Sequence, residues 1–385
     1  MKICFLAAYP PMSDTTGYYT RRLEIYLKKL GAEISLILPC PFRLKDAKIE
    51  YTYLGLVNFR ETFRFLKKSS PDIIHMVYGI HNYLSTTFHL WLILIFHSKI
   101  LKIPVFVTIQ EASTWIQKLG YIARLYYKLM SYFVDIFLVH TNTSKQELIS
   151  KCKVVPTKVF HMLHGFYEIE RDISHLERLR TECGITEKDK VVLFFGLIRP
   201  AKGIENLIEA TKIIKDRNMM SNIIVLIVGD VRKREGMINK FFQKKDERYY
   251  DYLVKLAKDY SLQNIVKFKR GYVPDDEVFS VFNLCDVVAL PYARAEESGV
   301  LNIALSVPKP VVTTNISGIG ETLQDIGVLV PPESPDKIAT ALVKVLSDTD
   351  FRDNLVKKYI SLYDSLNPMA IAKSHYELYK EHCKR

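Results

Sequence analysis

The stretch AEESGVLNIALSVPKPVV (Ala295–Val312) sets two carboxylates, Glu296 and Glu297, directly before a Ser298–Gly299 step. An apolar helical run follows through Val300, Leu301, Ile303, Ala304 and Leu305, and Pro308 and Pro310 end it. A helix N-terminus stabilises negative charge, whether that of a carboxylate or of a bound phosphate. Small residues at positions 298 and 299 allow close backbone approach, and the amides of Gly299, Val300 and Leu301 are expected to point outward. A second candidate is the loop LIRPAKG, where Arg199 and Lys202 stand between a strand end and a helix start. A bidentate guanidinium and a point-charge ammonium complement a diphosphate, although a basic pair in a solvated loop is common. The third is the turn PPMSDTTG, in which Gly17 opens a helix. Together the three loops suit a phosphate-bearing ligand held between two domains.

Short apolar strands alternating with amphipathic helices must position these loops. The first half contains KICFLAA, EISLIL, DIIHMV, VFVTI and IFLVHT; the second contains KVVLFFGLI, NIIVLIVGD, IVKFKRGYV, DVVALPY and PVVTT. Strands this apolar, joined by helices, predict parallel sheets covered on both faces. Ligands of such sheets bind at the carboxyl ends of the strands. The expected architecture is α/β, with two doubly wound domains over residues 1–172 and 173–365 and a terminal helix within 366–385.

A chain of 385 residues exceeds one ordinary core, and 48% apolar with 25% charged residues is a globular composition. The longest dense apolar run, Leu90–Phe96, is far short of the roughly 20 residues that span a bilayer, and it reads as a buried helix. With no leader segment visible, a cytoplasmic protein, or one peripheral on the cytoplasmic face of a membrane, is expected. Six scattered cysteines without a CxxC pair, and ten histidines without metal-ligand spacing, predict neither a disulfide framework nor a metal site. The net charge of +12 is uneven: residues 1–170 carry 21 Lys+Arg against 12 Asp+Glu, the remainder 33 against 30. A basic first half suits an anionic partner as well as plain solubility.

The segments FFGLIRPAKGIENLIEA, VGD, GYVPDDEVFSVFNLCDVVALPY and PVVTTNISGIGETL resemble the donor half of family 4 retaining glycosyltransferases of the GT-B fold. MKICFLAAYPP, DIIHMVYG, PVFVTI and VPTKVFHMLHG agree in order in the first half. The resemblance implies a hexosyltransferase with two Rossmann-like domains. It takes a sugar from a nucleoside diphosphate donor and passes it, with retention, to a hydroxyl of a glycan or lipid-linked acceptor, without a cofactor. It places Gly17, Gly196, Arg199, Lys202, Tyr272, Val273, Glu297, Ser298, Gly299 and Val300 in the donor pocket. Arg199 and Lys202 stabilise the leaving diphosphate and Glu297 holds hydroxyls of the sugar; Glu296 is expected only to cap the helix. Two positions depart from the pattern. Ile303 stands where the family carries a second glutamate that holds the ribose, and Gln110 stands where a histidine usually follows the strand VFVTI. Gln110 cannot shuttle a proton, but it can hydrogen-bond a sugar.

Two further segments bear on partners. Thr114–Phe133 interleaves Trp115, Tyr121, Tyr126, Tyr127, Tyr132 and Phe133 with Lys118, Arg124 and Lys128, as in a membrane-interface element or a core helix. Val231–Tyr250, with Arg232, Lys233, Lys244 and Lys245, fits a basic flap or a solvated helix. The alternatives are a GT-B protein without transferase activity, a nucleic-acid-modifying glucosyltransferase and a nucleotide-sugar epimerase. Nucleic acid is the least expected partner, because no recognition helix or aromatic RNA-binding motif is visible.

Overall fold

The computed structural model describes residues 1–10, 15–39, 49–54, 59–79, 102–232, 237–295, 298–323 and 326–383. The run Leu90–Phe96, Lys233, Glu296 and Glu297 lie outside the described residues. The chain divides into two compact units, one of Met1–Gly165 with Ser365–Arg385, the other of Phe166–Asp364. The division thus falls at Gly165–Phe166, a few residues before the expected 172.

The first unit is built on β1 (Lys2–Leu6), β2 (Glu33–Leu38), β3 (Glu50–Tyr53), β4 (Ile73–Tyr78), β5 (Val105–Ile109), β6 (Ile136–Val139) and β7 (Val159–His161). They form one sheet in the order β3-β2-β1-β4-β5-β6-β7, and every recorded pairing is parallel. All residues of β4 and β5 are buried, as strands covered on both faces require. Alternate residues feed two cores: Cys4, Leu6, Ile74 and Met76 pack on one face, Ile3, Phe5, Ile73 and Val77 on the other. The helix Thr15–Lys29 follows β1, and Gly31, at φ +84°, ends its chain segment in the left-handed region that helix termini favour. The C-terminal helix Pro368–Cys383 packs on that helix, burying Ile371, Ala372, Leu378 and Tyr379 beside Tyr19, Leu23 and Tyr26.

A polar network threads this core. The Tyr19 hydroxyl lies 2.9 Å from His375 Nε2, His75 Nε2 lies 2.8 Å from Thr108 Oγ1, and His75 Nδ1 pairs with the Tyr379 hydroxyl. Arg22 donates to the carbonyl of His164 and sits 3.0 Å from His164 Nδ1. Burial pushes the His75 pKa down to about 3 and that of His140 to about 4, and holds His164 and His375 well below the ordinary value. These rings are neutral at physiological pH.

The second unit repeats the plan with β8 (Lys190–Phe195), β9 (Ile223–Gly229), β10 (Val266–Arg270), β11 (Val287–Leu290), β12 (Val311–Thr314) and β13 (Val328–Val330), ordered β10-β9-β8-β11-β12-β13. Its recorded pairings are also parallel. The helix Met237–Asp259 carries Lys244 and Lys245 exposed to solvent, so this part of the basic segment is a solvated helix. Thr114–Phe133 is two helices rather than one, Ala112–Leu119 and Tyr121–Met130, broken at Gly120 with φ +52° and ψ −119°.

Candidate functional site

Both sheets reverse direction beside their first strand. In the second unit the reversal falls between β8 and β11, which are paired neighbours, and loops leaving their carboxyl ends diverge to open a crevice. The loop after β8 carries Arg199 and Lys202; the loop after β11 leads to Ser298 and Gly299. The fold therefore brings these four residues to one end of one sheet.

Close backbone contacts lock the loops together. The Ala201 carbonyl accepts from the amides of Ala293 (3.1 Å) and Arg294 (3.2 Å). Gly203, at φ +59°, packs so tightly that a Cβ there would meet the Pro291 carbonyl oxygen at 2.2 Å. On the other side, a Cβ on Gly229 would lie 1.8 Å from the Gly196 oxygen, and one on Gly196 would touch Val300 Cγ2 at 3.2 Å. Gly196 thus stands where the ends of β8 and β9 meet the start of the helix Gly299–Ser306.

Two helices begin at this crevice, and they differ. The first amide of Ile204–Asp216, that of Ile204, donates to the Tyr249 hydroxyl at 3.0 Å, and Tyr249 in turn bonds Glu205. That end is capped by protein. In Gly299–Ser306, Ser298 Oγ accepts from the Leu301 amide at 3.2 Å. This corrects one expectation: Leu301 does not offer its amide to a ligand. Among the described residues the amides of Gly299 and Val300 have no partner, and they carry the positive end of the helix dipole.

The cations are also distinguished. Arg270 is committed to acids, with Nε 2.9 Å from Asp230 and Nη2 2.7 Å from Glu247. Arg199 is extended at φ −160° just before the 3-10 turn Pro200–Lys202; its side chain makes no hydrogen bond or ion pair with a described residue, and its Nε is buried. Lys202 Nζ sits 3.6 Å from the ring centroid of Tyr292. Tyr292 is fully buried, its hydroxyl lies 3.0 Å from Ser298 Oγ, and burial pushes its pKa up to about 12, so it remains a neutral phenol. Sequence reasoning missed Tyr292, and also Tyr167, whose hydroxyl would lie 3.3 Å from a Cβ on Gly299. A tyrosine at a strand end carries no signal of a contact made some 90 residues away in the chain.

The remaining candidates are dispersed. Tyr272 and the half-buried Val273 follow β10, two strands from β8; Tyr272 is 75% exposed and its hydroxyl donates to Asp275 at 3.2 Å. Gly17 is buried in the first turn of Thr15–Lys29 in the first unit. Gln110, directly after β5, is 8% exposed, and its Nε2 has no partner among the described residues. No cluster of three metal-ligating side chains occurs among the described residues.

Two parallel, doubly wound Rossmann-like units define a protein of the GT-B class. Solved structures of similar fold include a glycosyltransferase from Rickettsia africae, with TM-score 0.76 and 17% identity over 100% of this chain and 99% of that one. Another is Anabaena HepE in complex with UDP and glucose, with TM-score 0.72 and 18% identity over 99% and 100%. Residues 177–361 match the family model for glycosyl transferases group 1. An uncharacterized glycosyltransferase of Methanocaldococcus jannaschii is 28% identical over 244 residues, 61% of this chain and 57% of that protein. A D-inositol 3-phosphate glycosyltransferase of Corynebacterium glutamicum is 26% identical over 228 residues, 57% and 50%. The chain spans about half the length of the curated relatives it matches.

Proposed function

We propose that the protein is a retaining hexosyltransferase that moves a sugar from a nucleoside diphosphate donor to an acceptor hydroxyl. The observation that carries this reading is the end of the β8–β11 crevice. There Arg199, without an acidic partner among the described residues, and Lys202 share one strand edge with the two unused amides of Gly299 and Val300. Such an arrangement suits a diphosphate, with negative charge met by preorganised donors rather than by mobile ones. In the step proposed, the acceptor oxygen bonds the anomeric carbon on the face that the diphosphate leaves. The anomeric C–O bond breaks with its electron pair going to the diphosphate, whose oxygen takes the acceptor's proton. Arg199 and Lys202 offset the charge that develops on the leaving group, and Glu297 holds the sugar. No divalent ion is required by this reading. Gln110, with its buried and unused amide donor, is assigned to an acceptor oxygen.

The test is a hydrolysis and thermal-shift screen over UDP-, GDP-, ADP- and dTDP-sugars, followed by the anomeric configuration of the product and its sensitivity to EDTA. Turnover of at least one donor, retention, and indifference to EDTA are expected. No stabilisation by any of the four would contradict the transferase reading and favour a non-catalytic GT-B protein. With the active donor, Glu297→Gln is expected to impair transfer while the bare nucleoside diphosphate still binds, and Glu296→Gln to be mild.

The acceptor is placed on or near an anionic membrane, as a lipid-linked or membrane-proximal glycan. The helix Tyr121–Met130 turns Ala123, Tyr127 and Met130 inward while Tyr121 and Ile122 are 75% and 69% exposed, with Leu125, Leu129 and Tyr132 also outside. Arg124 and Lys128 share that outer face, and no acid occurs between residues 112 and 134. An apolar stripe flanked only by cations suits an interface of anionic lipid. Among the described residues no helix is long and apolar enough to cross a membrane. The protein is expected to co-sediment with phosphatidylglycerol vesicles, to release as salt rises, and to lose binding in Ile122→Asp with Leu125→Asp. Equal binding to neutral vesicles, or none to either, removes this part of the reading.

A further inference from the structure

We infer that Tyr292 is a positioning residue for the diphosphate site: its ring seats the Lys202 ammonium, and its hydroxyl tethers the start of the helix that faces the same ligand. The proposal rests on the donor-site reading above. The two halves of that site come from different loops, one after β8 and one after β11, and Tyr292 touches both. Lys202 Nζ stands 3.6 Å from the ring centroid, well inside the distance over which a ring quadrupole attracts a cation. The hydroxyl lies 3.0 Å from Ser298 Oγ, the same oxygen that caps the Leu301 amide. The Tyr292 carbonyl accepts from Thr314 Oγ1 at 2.6 Å, which fixes the backbone beneath the ring to the neighbouring strand β12.

The physical reason for such a seat is entropy. A lysine side chain has four rotatable bonds, and a cation free to wander loses much of its electrostatic value when a ligand must immobilise it. The ring's face holds the ammonium by attraction and leaves its positive charge in place beside the diphosphate site. An acid in the same place would hold the lysine more strongly, but it would also neutralise it. A neutral aromatic face orients the ammonium without itself neutralising it. The full burial of Tyr292 denies the ring any alternative position.

The experiment replaces Tyr292 with phenylalanine and with mono-, di- and trifluorinated phenylalanine in the full chain, which keeps the shape while weakening the ring quadrupole stepwise. Affinity is measured for UDP, GDP, ADP and dTDP, each also against Lys202→Met. In the wild-type background Tyr292→Phe is expected to weaken the best-bound diphosphate about twofold to threefold, through loss of the Ser298 tether. Each added fluorine is expected to weaken it further, toward the value of Lys202→Met. In the Lys202→Met background the fluorine series is expected to be flat. A series that is flat with Lys202 present, or that tightens binding, overturns the positioning role, as does an equal slope in both backgrounds. If no diphosphate binds the wild-type chain, or Lys202→Met binds as well as wild type, the donor-site reading itself fails, and that result is distinct from the others.

Discussion

The two units share one strand plan but place opposite chemistry at its centre. In the first, the strands flanking the reversal, β1 and β4, lie among neutral imidazoles and phenols: His75, His375, Tyr19 and Tyr379 bond one another or Thr108 beneath the C-terminal helix. In the second, the strands flanking the reversal lead to an arginine, a lysine seated on an aromatic ring and two uncapped amides. Nine of the ten histidines fall in the first unit's residue ranges, and His175 alone falls in the second's. Topology therefore supplies a crevice twice, and the side chains decide its use. A buried polar network fastens a helix in the first unit, whereas donors gathered at strand ends in the second suit an anion.

That contrast predicts unequal acid sensitivity, the largest effect expected. A histidine whose folded pKa is depressed binds fewer protons than it does unfolded, so stability rises with pH and is lost as pH falls below the unfolded value. With His140 at about 4 and His75 at about 3, the window runs from about pH 6.5 down to about pH 4 for His140 and about pH 3 for His75. Each ring that stays neutral costs about 1.4 kcal/mol per pH unit there. Hydrogen exchange followed by unit is expected to show the first unit loosening between pH 6.5 and 5 while the second holds. Equal loosening of both would break the comparison.

A glycine substitution in each unit sharpens it further. Gly229→Ala drives a Cβ into the Gly196 backbone and is expected to destabilise the second unit by roughly 3–4 kcal/mol and to abolish diphosphate binding. Gly31→Ala in the first unit meets nothing within 4 Å, so only its positive φ matters, at about 1–2 kcal/mol. Chemical denaturation of the two variants measures the difference. An effect comparable with that of Gly31→Ala is expected of Tyr379→Phe, which leaves His75 Nδ1 without its hydroxyl partner at a cost of about 1–3 kcal/mol and spares nucleotide affinity.

Much of this plan is legible in the sequence, and the gaps have physical causes. Runs such as NIIVLIVGD and PVFVTI announce strands buried on both faces, and β9 and β5 fall on them. The strands EYTY, VFH and VLV are not legible: β3, β7 and β13 lie at sheet edges and are three or four residues long, too short for a periodic pattern. Arg199, Lys202, Ser298 and Gly299 could be singled out because chemistry and loop position coincide locally. Tyr292 could not, since its meaning is a contact with Lys202. The break at Gly120 was there to be read as a helix terminus, but the amphipathic pattern on either side of it conceals two helices under one period.

The central claim is that Arg199 and Lys202 act on a leaving diphosphate. Its most direct test is the turnover of Arg199→Ala and Lys202→Ala with the donor sugar nucleotide that the wild-type chain hydrolyses best, beside their melting temperatures. The account predicts a loss of at least about tenfold in kcat for each, because each removes one preorganised donor from the leaving group. Melting temperatures are predicted to stay close to wild type, since both residues stand in a loop. Wild-type turnover in Lys202→Ala, with the fold intact, would contradict it.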